Sequence, residues 1–311
     1  MTEESKLLEE AQKHYHRENG QHEAIRLYKI LLEKYPNNIT GWSDLASMQY
    51  DILDFDNAIR SSHKMLSLDP ENAWNTEMFL TKLKLLRKFK FAAPNLYLDE
   101  ETREAHEIKE LEGEFSLFEQ IEKYSIKLLD LYKDNLKKVY ELNLTFSFTL
   151  IEYGKYQEGL SCLNKALELK DYRVLKRRNP LPNIYNWMST AYLGLKDYKN
   201  ALKHLDMAFE NGLDEYVYLK KAEIYKEMGD LEMHNQVIED FIKIVDDKIR
   251  TKPETAYISQ KINAILKLGN ILRAEEALND FEVLKPFDER TLKIIAEKKA
   301  LINNKKAHNN V

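Results

Sequence analysis

A chain of 311 residues exceeds what one ordinary hydrophobic core accommodates, so it is either two packed domains or a repeat array that grows by stacking. Hydrophobic residues at 43% and charged residues at 32% exclude a disordered chain, and only 9 Gly and 7 Pro exclude a barrel or sandwich of many tight turns. A net charge of -5, a pI near 6.0 and a single cysteine, Cys162, argue against a nucleic-acid partner, an internal disulfide and a Cys-based zinc cluster.

No cofactor is expected. The stretch from Met1 to Glu10 is acidic and amphipathic, unlike a signal peptide, and no uncharged apolar run is long enough to span a bilayer. A cytoplasmic protein without membrane contact is the expectation.

The first predicted helix pair covers 5–38 and the second 39–72. Ala24, Tyr28, Leu31 and Pro36 recur as Ala58, Ser62, Met65 and Pro70, each 34 positions later, and Asn follows closely after both prolines. Ahead of Ala58, Trp42, Leu45 and Ala46 lie at helical spacing and Asp54-Phe55 marks a turn, so each unit consists of two helices. Small residues at the repeated Ala positions let paired helices approach, and the larger apolar positions fill the grooves between them.

Over 73–134 the period breaks. Trp74 to Lys90 reads as a helix with Phe79, Leu83 and Leu86 on one side, followed by a loop at FAAPNLYL, where Pro94 disfavours helix. Asp99 to Lys133 carries Ile108, Leu111, Phe115, Phe118, Ile121 and Leu128 at helical spacing, as one helix or a hairpin. The segment is either an enlarged third unit or an insertion.

The period returns downstream. Gly154, Tyr156, Gly159, Leu163 and Ala166 define a unit over 140–173; Tyr185, Met188, Ser189, Tyr192, Asp197, Tyr198, Ala201, Leu205 and Ala208 define one over 182–214. A weaker copy over 215–248 has Tyr218, Ala222, Tyr225, Gly229, Asp230 and Ile238, with His234 in place of the usual Ala; the last, over 255–287, has Gly269, Ala274, Leu278, Phe281 and Pro286. DYRVLKRRNPLPN and DDKIRTKP read as lengthened connections. Asp288 can cap a Lys-rich closing helix over 288–304, and 305–311 reads as a disordered tail.

The recurring order of a large apolar residue, Leu and a small residue, a Gly-Asp-Tyr-like turn, Ala, an aromatic, a second small residue and Pro resembles the tetratricopeptide repeat (TPR) family. That resemblance implies an all-α, right-handed superhelical solenoid of antiparallel helix pairs, a single array over 3–304. It also implies that the first helices of successive units line a concave groove that holds a protein or peptide partner. On this sequence the groove positions are Phe148; Asn183, Asn186, Trp187 and Thr190; Tyr216, Lys220 and Glu223; and Ser259, Gln260 and Asn263.

Asn and Gln can bond an extended backbone in both directions, and Trp187 and Tyr216 can anchor an apolar side chain. Relatives that clamp the acidic C-terminus of heat-shock chaperones use Lys, Asn and Arg at set positions. Here those positions hold Glu9, Lys13, Asp44, Trp74 and Met78, or, one window on, Asn186, Thr190, Lys220, Ala256 and Gln260, so that clamp is missing.

No Gly-rich phosphate loop, HExxH or Ser elbow is present, so an enzyme is not expected. His14 and His16 point to different sides of a helix, and Cys162 reads as core rather than as a reactive thiol. The ten carboxylates from Asp99 to Glu122 and the basic run Lys170, Arg173, Lys176, Arg177 and Arg178 read first as solvated surface. An adaptor or scaffold is the expected function, and a self-associating structural subunit that meets its copy through Asp99 to Lys133 is the alternative.

Overall fold

Apolar side chains three and four residues apart give each segment one oily face, and such a face is stable only against a neighbouring helix. The computed structural model describes residues 2–15, 17, 20–91, 117–172, 179–252, 254–283 and 289–309. Among them are fifteen α-helices, a 3-10 turn at Lys170–Tyr172 and no strand. Two compact units divide the chain: Met1–Phe146 with Leu169–Arg173, and Ser147–Glu168 with Val174–Val311.

The first unit holds α1 (Glu3–Tyr15), α2 (Gln21–Lys34), α3 (Ile39–Asp51), α4 (Phe55–Leu68), α5 (Ala73–Phe91) and α6 (Leu117–Leu131). It also takes in the start of α7 (Leu136–Glu152). The repeated small residues sit in the seams: Ala24 and Ala58 are fully buried, and Tyr28, Leu31, Leu45 and Met48 pack around the first of them. Ser62, which stands where the previous unit has Tyr28, is buried as well, its hydroxyl donating to the Ala58 carbonyl at 2.8 Å.

Over 73–134, α5 and α6 pack against each other. Phe79 and Leu83 meet Ile121, Tyr124 and Leu128, and the Phe79 and Tyr124 rings meet edge to face at 5.0 Å. Residues 92–116, with the Pro94 loop and most of the acidic run, lie outside the described residues. So do Arg173 and Lys176 to Arg178 of the basic run, and His16.

The second unit takes the end of α7 and then α8 (Tyr156–Glu168), α9 (Leu181–Gly194), α10 (Tyr198–Glu210), α11 (Tyr216–Glu227) and α12 (Leu231–Thr251). It closes with α13 (Thr255–Lys267), α14 (Ile271–Val283) and α15 (Glu289–Asn309). Ala201 and Ala274 are buried at 0% exposure, as the spacing requires. His234 is buried too, and its Nδ1–H donates to the Ala222 carbonyl at 2.8 Å, which satisfies a polar ring where an alanine would need nothing.

Two expectations are corrected. DDKIRTKP is not a loop, because α12 continues through Thr251: Phe241, Val245 and Ile249 carry the same apolar face onward. The closing helix does not stop at 304 but runs to Asn309, and Lys305 donates to the Leu266 carbonyl at 3.0 Å while Lys306 pairs with Glu275. Those tethers hold the final turns against α13 and α14. Cys162 is half-buried rather than fully enclosed, and its apolar surroundings push the thiol up to about 11.

The turns inside the units share one geometry. One residue takes a left-handed conformation, and the next N–H reaches back to a carbonyl five residues earlier, closing the helix end. The bonds are Asp54 to Gln49 at 2.8 Å, Lys155 to Leu150 at 2.8 Å, Asp197 to Tyr192 at 2.9 Å, Asp230 to Tyr225 at 2.9 Å and Asn270 to Ile265 at 3.4 Å. The left-handed position is Gly in the turns at Gly154, Gly229 and Gly269, where φ is 78°, 80° and 74°, but Leu53 at 65° and Lys196 at 59° in the other two.

Candidate protein-binding face

The first helices of the second unit, α9, α11 and α13, are cross-linked to one another by side chains, with α7 before them and α15 after. At the start, the Phe148 ring from α7 stacks on Trp187 of α9, with centroids 4.8 Å apart and planes 22° from parallel. Next, Lys220 of α11 donates to Asn186 Oδ1 at 2.7 Å. These two residues are 34 apart, so the bond joins equivalent places in successive units.

Two contacts join α11 to α13. Gln260 Nε2 donates to the Tyr216 hydroxyl at 3.0 Å, and Lys267 donates to Glu223 at 2.8 Å. Finally Lys298 of α15 donates to Asn263 Oδ1 at 2.8 Å. The last helix thus stands where a further first helix would stand.

Desolvation by surrounding apolar groups holds the Lys220 ammonium below the ordinary lysine range, with Glu223 opposing. Lys298 is lowered in the same way, with Glu297 opposing. Both ammonium groups bridge to an amide oxygen on the preceding first helix.

The structure links several of the expected groove residues to neighbouring helices, a different role from the one their composition suggests. Phe148, Asn186, Trp187, Lys220, Glu223, Gln260 and Asn263 are engaged with the adjoining helix. Thr190 bonds back to the Asn186 carbonyl at 3.1 Å and Ser259 is half-buried. What this face offers outward is Asn183, the remaining valences of Asn263, and the Tyr216 ring, which is 46% exposed. Lys267 and Lys298 belong to the same ladder and were not anticipated, since a lysine near a helix end reads as solvated until its partner helix is known.

At the chaperone-clamp positions of the first unit, Asp44 accepts from Gln12 at 3.1 Å and from the Tyr28 hydroxyl at 3.0 Å, and Lys13 pairs with Glu9 at 2.9 Å. An acidic residue held in this way repels a carboxylate ligand. Among the described residues no group of three or more His, Cys, Asp or Glu is placed to hold a metal ion, and no helix is long and apolar enough to cross a membrane.

No protein-family model matches the sequence, and no curated protein matches it. Solved structures do match. A tetratricopeptide repeat protein from Parabacteroides merdae is 14% identical over 95% of this chain and 98% of its own, with a TM-score of 0.52. MamA is 17% identical over 67% of this chain and 91% of its own, with a TM-score of 0.46, and PilW, a type IV pilus biogenesis factor, is 14% identical over 83% and 98%, with a TM-score of 0.45. The class is that of an all-helical repeat protein built from stacked helix pairs. Its fold is the tetratricopeptide repeat fold.

Proposed function

We propose that this chain is a protein-interaction scaffold or adaptor that holds an extended peptide or a helix of a partner protein along α9, α11 and α13. Binding, rather than catalysis, is its activity, and the proposed setting is the cytoplasm, where Cys162 would remain a thiol. The observation that carries this reading is the ladder from Phe148 to Lys298. Because those side chains are already immobilised, a ligand meets a surface that has little conformational entropy left to lose.

The exposed Tyr216 ring supplies an apolar anchor, and the amides of Asn183 and Asn263 supply donors and acceptors for a peptide backbone. Affinity would be spread over many contacts.

Site-specific photo-crosslinking in a native extract tests the proposal. A benzophenone side chain at Asn183 or Asn263 should trap a common protein, and the same group at Lys203 on the second helix α10 should not. Adducts of equal yield at Lys203, or none at the two asparagines, would remove the proposed face.

A further inference from the structure

A second surface lies in the first unit. Between the second helices α2 and α4, over α3, is a groove of about 600 Å³. Its floor is apolar: Leu32 and Leu45 are buried, and the Trp42 indole is pinned by its Nε1–H, which donates to the Pro36 carbonyl at 2.8 Å. Beneath, Ser61 donates to Gln49 at 2.7 Å, so the buried polar atoms there are satisfied and ask nothing of a ligand.

The rims are charged, and unevenly. Lys29 and Glu33 stand one helical turn apart on α2, and Arg60 and Lys64 one turn apart on α4. Three cations therefore face the groove against one carboxylate, in a chain whose net charge is -5. Among the described residues, Lys29 and Lys64 have no ion-pair partner. Apolar floor, cationic rims and this volume together match sites that enclose an apolar group and fix its orientation with a few polar contacts.

We infer that the groove between α2 and α4 binds a short acidic segment of a partner protein, with one apolar side chain of that segment seated over Trp42 and its carboxylates against Lys29, Arg60 and Lys64.

The test uses the full chain and a fluorescein-labelled peptide, Glu-Glu-Leu-Phe-Glu-Glu, followed by anisotropy. Wild type should bind it, and Arg60→Glu with Lys64→Glu should weaken binding at least about tenfold. Glu33→Gln should tighten it about twofold, and a peptide of the same charge with Ser for Leu and Phe should bind about tenfold more weakly. The three changed protein side chains are on exposed rims, so circular dichroism of the variants should match wild type. No binding at about 1 mM peptide, or equal binding by the reversed variant, overturns the inference. So does equal binding of the serine peptide, which would mark a plain polyanion surface. Light scattering covers the remaining occupant: a dimer that the double reversal splits assigns the groove to a second copy and the inference falls.

Discussion

At the scale of single residues, the turns that close the first helices separate what spacing reveals from what it hides. Gly154 and Gly229 are visible in the sequence as turn glycines, and their positive φ explains them. Leu53 and Lys196 occupy the same left-handed position without announcing it, because the hydrogen bond that defines the turn is made by the backbone of the following residue. A side chain there costs about 1–2 kcal/mol, and glycine returns part of that in chain entropy. Lys196 is exposed and lends itself to the experiment, whereas Leu53 also packs on the core. Lys196→Gly should raise stability by about 0.5–1 kcal/mol in urea unfolding. A loss of stability would mean that Lys196 makes contacts that outweigh its backbone strain.

Cys162 offers a second residue-scale check. Burial disfavours the thiolate, so with the thiol at about 11 rather than the ordinary 9.0 the reactive form at pH 8 is about 100-fold scarcer than for a free cysteine. Alkylation by iodoacetamide in the native state should be correspondingly slow and should accelerate steadily as pH rises toward 11. Rapid modification at pH 7 would contradict the raised thiol.

At the scale of elements, the period was legible because it is a one-dimensional property: Ala24, Ala58, Ala201 and Ala274 recur with their neighbours, and each is buried at a helix seam. Element ends were less legible. The polar run around Asp246 to Arg250 looks like a connection, yet Val245 and Ile249 extend the buried stripe and keep α12 helical. The closing helix outlasts its expected end for a related reason, as Lys305 and Lys306 find partners on other helices that no local pattern encodes.

The pair formed by Glu215 and Lys248 shows how an ion pair fastens α12 to the start of α11. The two meet at 2.6 Å with the Glu215 side chain 11% exposed. Burial alone raises the Glu215 carboxyl, but the hydrogen bond from Lys248, a backbone hydrogen bond and the Lys248 charge together outweigh it and leave the group below its ordinary 4.5. Lys248 is raised above 10.5, chiefly by its hydrogen bond to Glu215.

A lowered carboxylate stabilises the fold above its unfolded value and loses that contribution as pH falls through the folded one; a raised lysine does so below its unfolded value and loses it as pH climbs. The pair's contribution is therefore full between about pH 5 and 10 and fades outside that window. Glu215→Gln should cost about 1–2 kcal/mol at pH 7 in urea unfolding, less than a fully enclosed pair because Lys248 is partly solvated, and the difference from wild type should shrink below pH 4. A difference that persists unchanged at pH 3 would assign the loss to packing instead.

At the scale of the whole molecule, each unit is a stack in which every helix pair shelters its neighbour, and the surfaces left over are where partners can be met. In the second unit the residues expected to line a groove were picked by position in the repeat, and several of them are linked to one another across neighbouring helices. Position was a poor guide to what they do there. Asn186, Gln260 and Asn263 spend hydrogen bonds on Lys220, Tyr216 and Lys298, and those links depend on how far apart the helices stand, a quantity absent from any one segment. The first-helix face is consequently a braced surface whose outward groups are fewer, and better held, than its sequence suggests.

Hydrogen–deuterium exchange of the chain with and without the protein trapped at Asn183 is the most direct measurement of that face at work. Slower exchange confined to α9, α11 and α13, with α10, α12 and α14 unchanged, is the predicted result. Protection of the second helices in place of the first would contradict it.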